Sequence, residues 1–254
     1  MSSYNKLVNN LTTLKLEKMA EMLPSILDSF KSDNISFSEA LLKLTDAEIA
    51  FKDDRARKIN VQISSFPYQK TINDFDFNYQ PQINKSTIED LCSLRFMETK
   101  SNVVFMGTPG VGKIHLAIST ISIGIEAATQ RLSTYFINFS TLMAKIKKAI
   151  AEKREETIIK HYLKYSLLII DEIGYLPIDK ETSYVFFLLI VARYEKRSSI
   201  LTSNQPFSKW GDVFGDNVIA SAIIDRLVHH CEIIKISGLS YQLKGRNIFD
   251  NDEN

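Results

Sequence analysis

Residues 102–116 read Asn-Val-Val-Phe-Met-Gly-Thr-Pro-Gly-Val-Gly-Lys-Ile-His-Leu, an apolar run that breaks into glycines and then opens a helical pattern. No other segment restricts the fold as much. Gly-x-x-x-x-Gly-Lys-Ser/Thr, placed after a buried strand and before a helix, is a phosphate-binding loop. Its glycines let successive backbone N–H groups turn inward, and the helix that follows points its positive end at the anion. Gly107, Thr108, Pro109, Gly110, Val111 and Gly112 form the cradle in this reading, and Lys113 reaches the outer phosphates. Ile114 and His115 start the helix. Position 114 breaks the pattern, because the hydroxyl expected there is a magnesium ligand and Ile114 has none. The loop predicts nucleotide binding and counts against metal-assisted hydrolysis.

A second apolar run, Ser166 to Ile170, ends in Asp171 and Glu172. A continuous apolar run suits a parallel strand covered on both faces. Ligands of such sheets sit beyond the carboxyl ends of the strands, where both carboxylates emerge. Asp171 would hold Mg2+, usually through water, and Glu172 would orient or deprotonate the attacking water. Alone, an Asp-Glu pair after a core strand reads as a solvated turn. Lys113 upstream shifts the balance to catalysis.

Beyond the loop, strands are expected near 134–138, 166–170, 199–202 and 232–236, with helices near 113–130, 140–152, 155–164, 181–196 and 217–230. That alternation predicts an α/β fold with a doubly wound parallel sheet. Residues 1–63 form a small N-terminal helical domain, since Leu7, Leu11, Leu14, Met19, Leu23, Ile26 and Phe30 recur at helical spacing. Pro24 is expected to kink or divide this stretch. Ser36-Phe37-Ser38-Glu39 is a capping box that starts the next helix. That helix ends in Lys52, Arg55, Arg57 and Lys58, a phosphate clamp or a solvated helix end. Residues 64–100 are an ordered linker, rich in aromatics that need somewhere to pack, and a lead-in helix begun by a second capping box, Ser86-Thr87-Ile88-Glu89. Residues 101–246 make the nucleotide-binding domain and 247–254 a polar tail.

With 44% apolar residues the chain has material for a core, and its net charge of +1 confines any nucleic-acid surface to a local patch. Lys145, Lys147, Lys148, Lys153, Arg154, Lys160 and Lys164 supply one, offset by Glu152, Glu155 and Glu156. They line a DNA track or cover two solvated helix faces. Cys92 and Cys231 lack metal-ligand spacing and read as buried thiols in a reducing compartment. His229-His230-Cys231 has no fourth ligand at convincing spacing and reads as helix-end histidines beside a core Cys. No membrane-span or signal pattern occurs, and a cytoplasmic location is expected.

From Leu14 to about Lys244 the chain resembles the IstB-like ATP-binding proteins, ATPase helpers of insertion-sequence transposition in the AAA+ superfamily, related to bacterial helicase loaders. Phe66-Pro67, Asp74-Phe75-Asp76-Phe77, the phosphate loop, Leu168–Pro177 and Arg193-Tyr194-Glu195 carry the resemblance, with Thr202–Trp210 and Asp225-Arg226-Leu227. It implies a P-loop AAA+ domain, ATP and Mg2+ as cofactors, and a homo-oligomer on double-stranded DNA held by non-specific phosphate contacts. The implied partner is a transposase or, in the alternative reading, a replicative helicase. It also implies that Asn204 helps place the water against the γ-phosphate and that Arg226 is an arginine finger for the neighbouring subunit. Gln242 stands where the family usually shows a phosphate-facing Arg. With Ile114, that departure predicts weakened ATP binding and reduced or absent ATPase activity. A non-hydrolysing DNA-binding scaffold is the remaining alternative.

Overall fold

Five short segments, each with an apolar centre, settle into one parallel sheet in the computed structural model of the chain. It describes residues 2–32, 35–67, 85–107, 113–174 and 177–236, with 31–32, 113–119 and 236 described by backbone alone. The strands are β1 (Asn102–Gly107), β2 (Thr134–Asn138), β3 (Leu167–Ile173), β4 (Ser198–Ser203) and β5 (Cys231–Ile236). Their order is β2-β3-β4-β1-β5 and every pairing is parallel.

Successive strand residues face opposite sides, so one sheet feeds two cores. Val103, Phe105, Leu167, Ile169 and Ile200 pack with α4 (Lys85–Cys92), α5 (Arg95–Glu98) and α6 (Lys113–Thr129) on one face. Val104, Leu168, Ile170 and Leu201 face the other side. There they meet α7 (Phe139–Ala151), α8 (Glu155–Leu163), α9 (Lys180–Arg193), α10 (Trp210–Phe214) and α11 (Asn217–Val228). This is the doubly wound arrangement expected, and the helix ranges agree with the sequence pattern to within a few residues. One approach is close: a Cβ on Gly124 of α6 would lie 2.5 Å from Ile169 Cδ1 and 2.7 Å from the Phe66 ring.

Chain contacts separate Met1–Ile59 from Asn60–Asn254 as two compact units. The first holds α1 (Ser3–Thr13), α2 (Glu17–Ser32) and most of α3 (Phe37–Ile63) around Leu11, Met19, Leu23, Ile26, Ala40 and Leu44. The buried Glu48 of α3 accepts from the N–H groups of Lys18 (2.8 Å) and Met19 (3.0 Å), capping the open end of α2 from another helix.

Two local expectations change. The first helical stretch breaks at Lys15, where φ is 57, and α2 continues through Pro24. Met19, Leu23 and Ile26, buried on both sides of the proline, outweigh the hydrogen bond it forfeits. The first capping box forms: Ser36 Oγ accepts from Glu39 N at 3.2 Å, and Glu39 accepts from Ser36 N at 2.8 Å. The second does not, because α4 already includes Lys85 and so places Ser86 inside its first turn. Glu89 pairs with Lys85 at 3.4 Å instead. The thiols of Cys92 and Cys231 are free and half-buried, and burial pushes them up to about 11 and about 12. Among the described residues no helix is long and apolar enough to cross a membrane.

Candidate functional site

The carboxyl ends of β2, β3 and β4 lie side by side, with Asn138 of β2 in register with Asp171 of β3. The β3–β4 ladder loses regular register between Ile170 and Ile173. Within that irregularity Glu172 takes a left-handed backbone, φ 66, that non-glycine residues rarely adopt. Thr202 of β4 ties it down: its hydroxyl accepts from Glu172 N at 2.8 Å and donates to Asp171 Oδ1 at 2.5 Å.

The Glu172 side chain is held from the other flank. Asn138 Nδ2 donates to Glu172 Oε2 at 2.7 Å. The same amide presents Oδ1 to Ser140, accepting from its N–H at 2.9 Å and its hydroxyl at 2.7 Å, and so caps α7. One Asn thereby both starts a helix and fixes a carboxylate. A cavity of about 430 Å3 opens at this point, lined by Asn138, Thr141, Glu172 and Pro177 among others.

Burial, above all, holds the Asp171 carboxyl above its ordinary value. The Thr202 hydrogen bond opposes the shift, and the Glu172 charge adds to it. A carboxylate so placed gains by meeting a cation. Asn204 follows β4, and its Oδ1 is buried without a hydrogen-bond partner. It comes this near only because residue 174 is glycine: φ is 111 there, and a Cβ would lie 2.9 Å from Asn204 Oδ1. The oxygens of Asp171, Glu172 and Asn204 are of the kind that suits a hydrated divalent cation. An orphaned buried amide oxygen marks a place for a donor still to arrive.

β1 leads to this edge through Gly107, and α6 starts at Lys113. Thr108, Pro109, Gly110, Val111 and Gly112 lie outside the described residues, as do the side chains of Lys113, Ile114 and His115. So do Asp74–Phe77, Gln242 and the 247–254 tail. Asp171 and Glu172 stand next to each other near the end of β3, and Asn204 meets Gly174 just beyond them.

Arg226 is not among them. It sits on α11, paired with Asp225 and 5.6 Å over the Tyr194 ring. That position is beside the amino ends of β4 and β5, where His230 O accepts from Asn102 N at the start of β1. Within one chain Arg226 therefore belongs to the opposite edge of the sheet.

Asn138 and Thr202 are the site residues that sequence reasoning missed. An Asn ending a strand just before a helix was the available signal for Asn138, and strand order was needed to aim it at Glu172. Of the basic residues, Lys147, Lys148, Arg154 and Lys160 pair with Asp179, Glu152, Glu152 and Glu156. Lys145 and Lys164 lie over the rings of Tyr135 and Tyr165.

Residues 9–248 match the family described as IstB-like ATP binding protein. The chain is 48% identical over 251 residues to a protein named for ATP binding in insertion sequence IS232 of Bacillus thuringiensis subsp. berliner, covering 99% of each. It is 40% identical over 235 residues to one named likewise for IS5376 of Geobacillus stearothermophilus, covering 92% of each. Among solved structures it is similar to DnaI, with TM-score 0.54 and 18% identity over 66% of this chain and 91% of that one. It is also similar to AMPPCP-bound DnaA from Aquifex aeolicus, with TM-score 0.55 and 16% identity over 72% and 57% of the two chains. These two likenesses speak for the P-loop AAA+ fold alone.

Proposed function

The chain belongs to the IstB-like ATP binding protein family, and from that premise we propose that it is an ATP-dependent helper that assembles on double-stranded DNA and assists an insertion-sequence transposase. The end-to-end match to relatives named for insertion sequences carries this reading. Helicase loading has only the shared fold in its favour. Cytoplasmic residence belongs to the same proposal.

In this reading Gly107–Gly112 and Lys113 hold the triphosphate, with Ile114 and His115 at the start of the helix behind it. Asp171, its position set by Thr202, would hold Mg2+. Magnesium, when bound, would neutralise charge on the phosphates. Glu172 withdraws a proton from water, and Asn138 keeps its carboxylate turned toward β2 until that happens. Asn204 would help place that water through its unpartnered Oδ1. Arg226, on the far edge of its own sheet, acts on a neighbouring subunit, and ATP thereby strengthens assembly. DNA contacts fall to the cations of α7 and α8. Lys147, Lys148, Arg154 and Lys160 are already engaged by carboxylates, so affinity would be modest and steeply salt-dependent.

Ile114 removes a magnesium ligand, so nucleotide binds but turns over slowly. Phosphate release measured with DNA, for the natural chain and for Ile114→Thr, tests this. A rise of at least about tenfold is expected, which matches the worth of one metal-linked contact. Equal, brisk rates in both would refute it. Calorimetry showing no adenine nucleotide uptake at millimolar concentration would defeat the whole reading.

A further inference from the structure

Two turns at the amino edge of the sheet bring together three metal-ligating side chains that the function above does not use. Glu195 lies in the turn from α9 to β4 with a left-handed backbone, φ 56. His229 caps the carboxyl end of α11, and His230 precedes β5. One ligand atom from each residue lies within 4.8 Å of the other two, and all three side chains are exposed. His230 Nε2 and Glu195 Oε1 are 3.8 Å apart.

We propose that Glu195, His229 and His230 form a binding site for a divalent transition metal of the Zn2+ class, with water completing a tetrahedral shell. Two neutral imidazoles and one carboxylate are a ligand set that such ions favour over magnesium or calcium. Metal–ligand bonds of about 2.0–2.2 Å put tetrahedral ligand atoms roughly 3.3–3.6 Å apart. Closing from the observed spacing needs only small rotations of exposed side chains. A second shell is also in place: the Tyr194 hydroxyl meets His229 Nδ1 at 2.9 Å, which orients that ring and leaves its other nitrogen to ligate. The nearby Arg226 charge is answered by Asp225. The sequence hides this site because Glu195 arrives from a different turn.

Zinc titration by calorimetry, on tag-free and nucleotide-free protein at neutral pH, tests the proposal independently of the ATP site. One ion per chain, bound in the micromolar range, is expected. His230→Ala and Glu195→Gln should each weaken binding at least about tenfold, by analogy with the worth of orienting partners around a metal. Cys231→Ser should change nothing, since that half-buried thiol lies outside the cluster. Absent saturable uptake, or unchanged affinity in the His230→Ala/Glu195→Gln double variant, would overturn the site. Cobalt substituted into the natural chain checks the ligands without any variant. Visible bands without a near-ultraviolet thiolate band support the proposed set, and a thiolate band refutes it.

Discussion

The two edges of the sheet treat buried polar groups in opposite ways. At the amino edge Arg193, 2% exposed, donates to Tyr162 O (2.8 Å), Tyr165 O (2.9 Å), Ser199 Oγ (3.0 Å) and Ser198 O. Asn102 is used as fully, donating to Leu227 O and accepting from Ser199 N. At the carboxyl edge Asn204 Oδ1 has no partner, Asp171 is held above its usual range, and Glu172 sits in a strained backbone. Where the chain needs rigidity it satisfies every donor. At the edge where we propose the nucleotide binds it leaves groups incomplete.

The largest test of this contrast is Arg193→Ala, which orphans four acceptors at once. Each is worth about 1–3 kcal/mol when buried without a donor, so the variant should lose at least about 3 kcal/mol in chemical denaturation. A loss under 1 kcal/mol would break the comparison. Burial has already drawn the guanidinium down to about 9, with Arg197 adding to the shift. Lys in its place should recover only part of the loss, because it lacks the planar fork.

At the other edge Glu172→Gln should cut ATP turnover about 100-fold, within the range for a general base, while nucleotide affinity and melting temperature stay close to the natural values. Asn138→Ala removes the α7 cap and should cost about 1 kcal/mol, whereas Asn138→Asp should keep that stability and lose turnover by placing a second carboxylate against Glu172. The smallest effect runs the other way. The folded chain binds the Asp171 proton more tightly than the unfolded chain, so ionised Asp171 costs stability at neutral pH, and the cost vanishes as pH falls through the raised value toward 3.8. Asp171→Asn should therefore raise the melting temperature at pH 7 and leave it unchanged near pH 3. A uniform shift at both would remove Asp171 from the argument.

Much of this was legible before folding. Apolar runs ending in Gly107 and in Asp171-Glu172 located two strands and the edge where the acidic pair emerges, because a buried parallel strand reads as a near-continuous apolar run. What stayed hidden depends on neighbours in space. Asn138 reaches Glu172 only because β2 lies beside β3, and Thr202 reaches Asp171 only because β4 lies on the other side. Lys15 looked like any polar residue between Leu14 and Leu16, while Pro24 drew attention by a local rule that burial overrode.

Gly124 has a reach beyond its own contacts. The helix that leans on β3 at this glycine is the one whose first residue is Lys113. How closely that helix packs on the sheet is thus gauged by a missing methyl group. An alanine there would drive a methyl group into the Ile169 side chain and the Phe66 ring, and the seating of this helix on β3 would have to loosen to admit it.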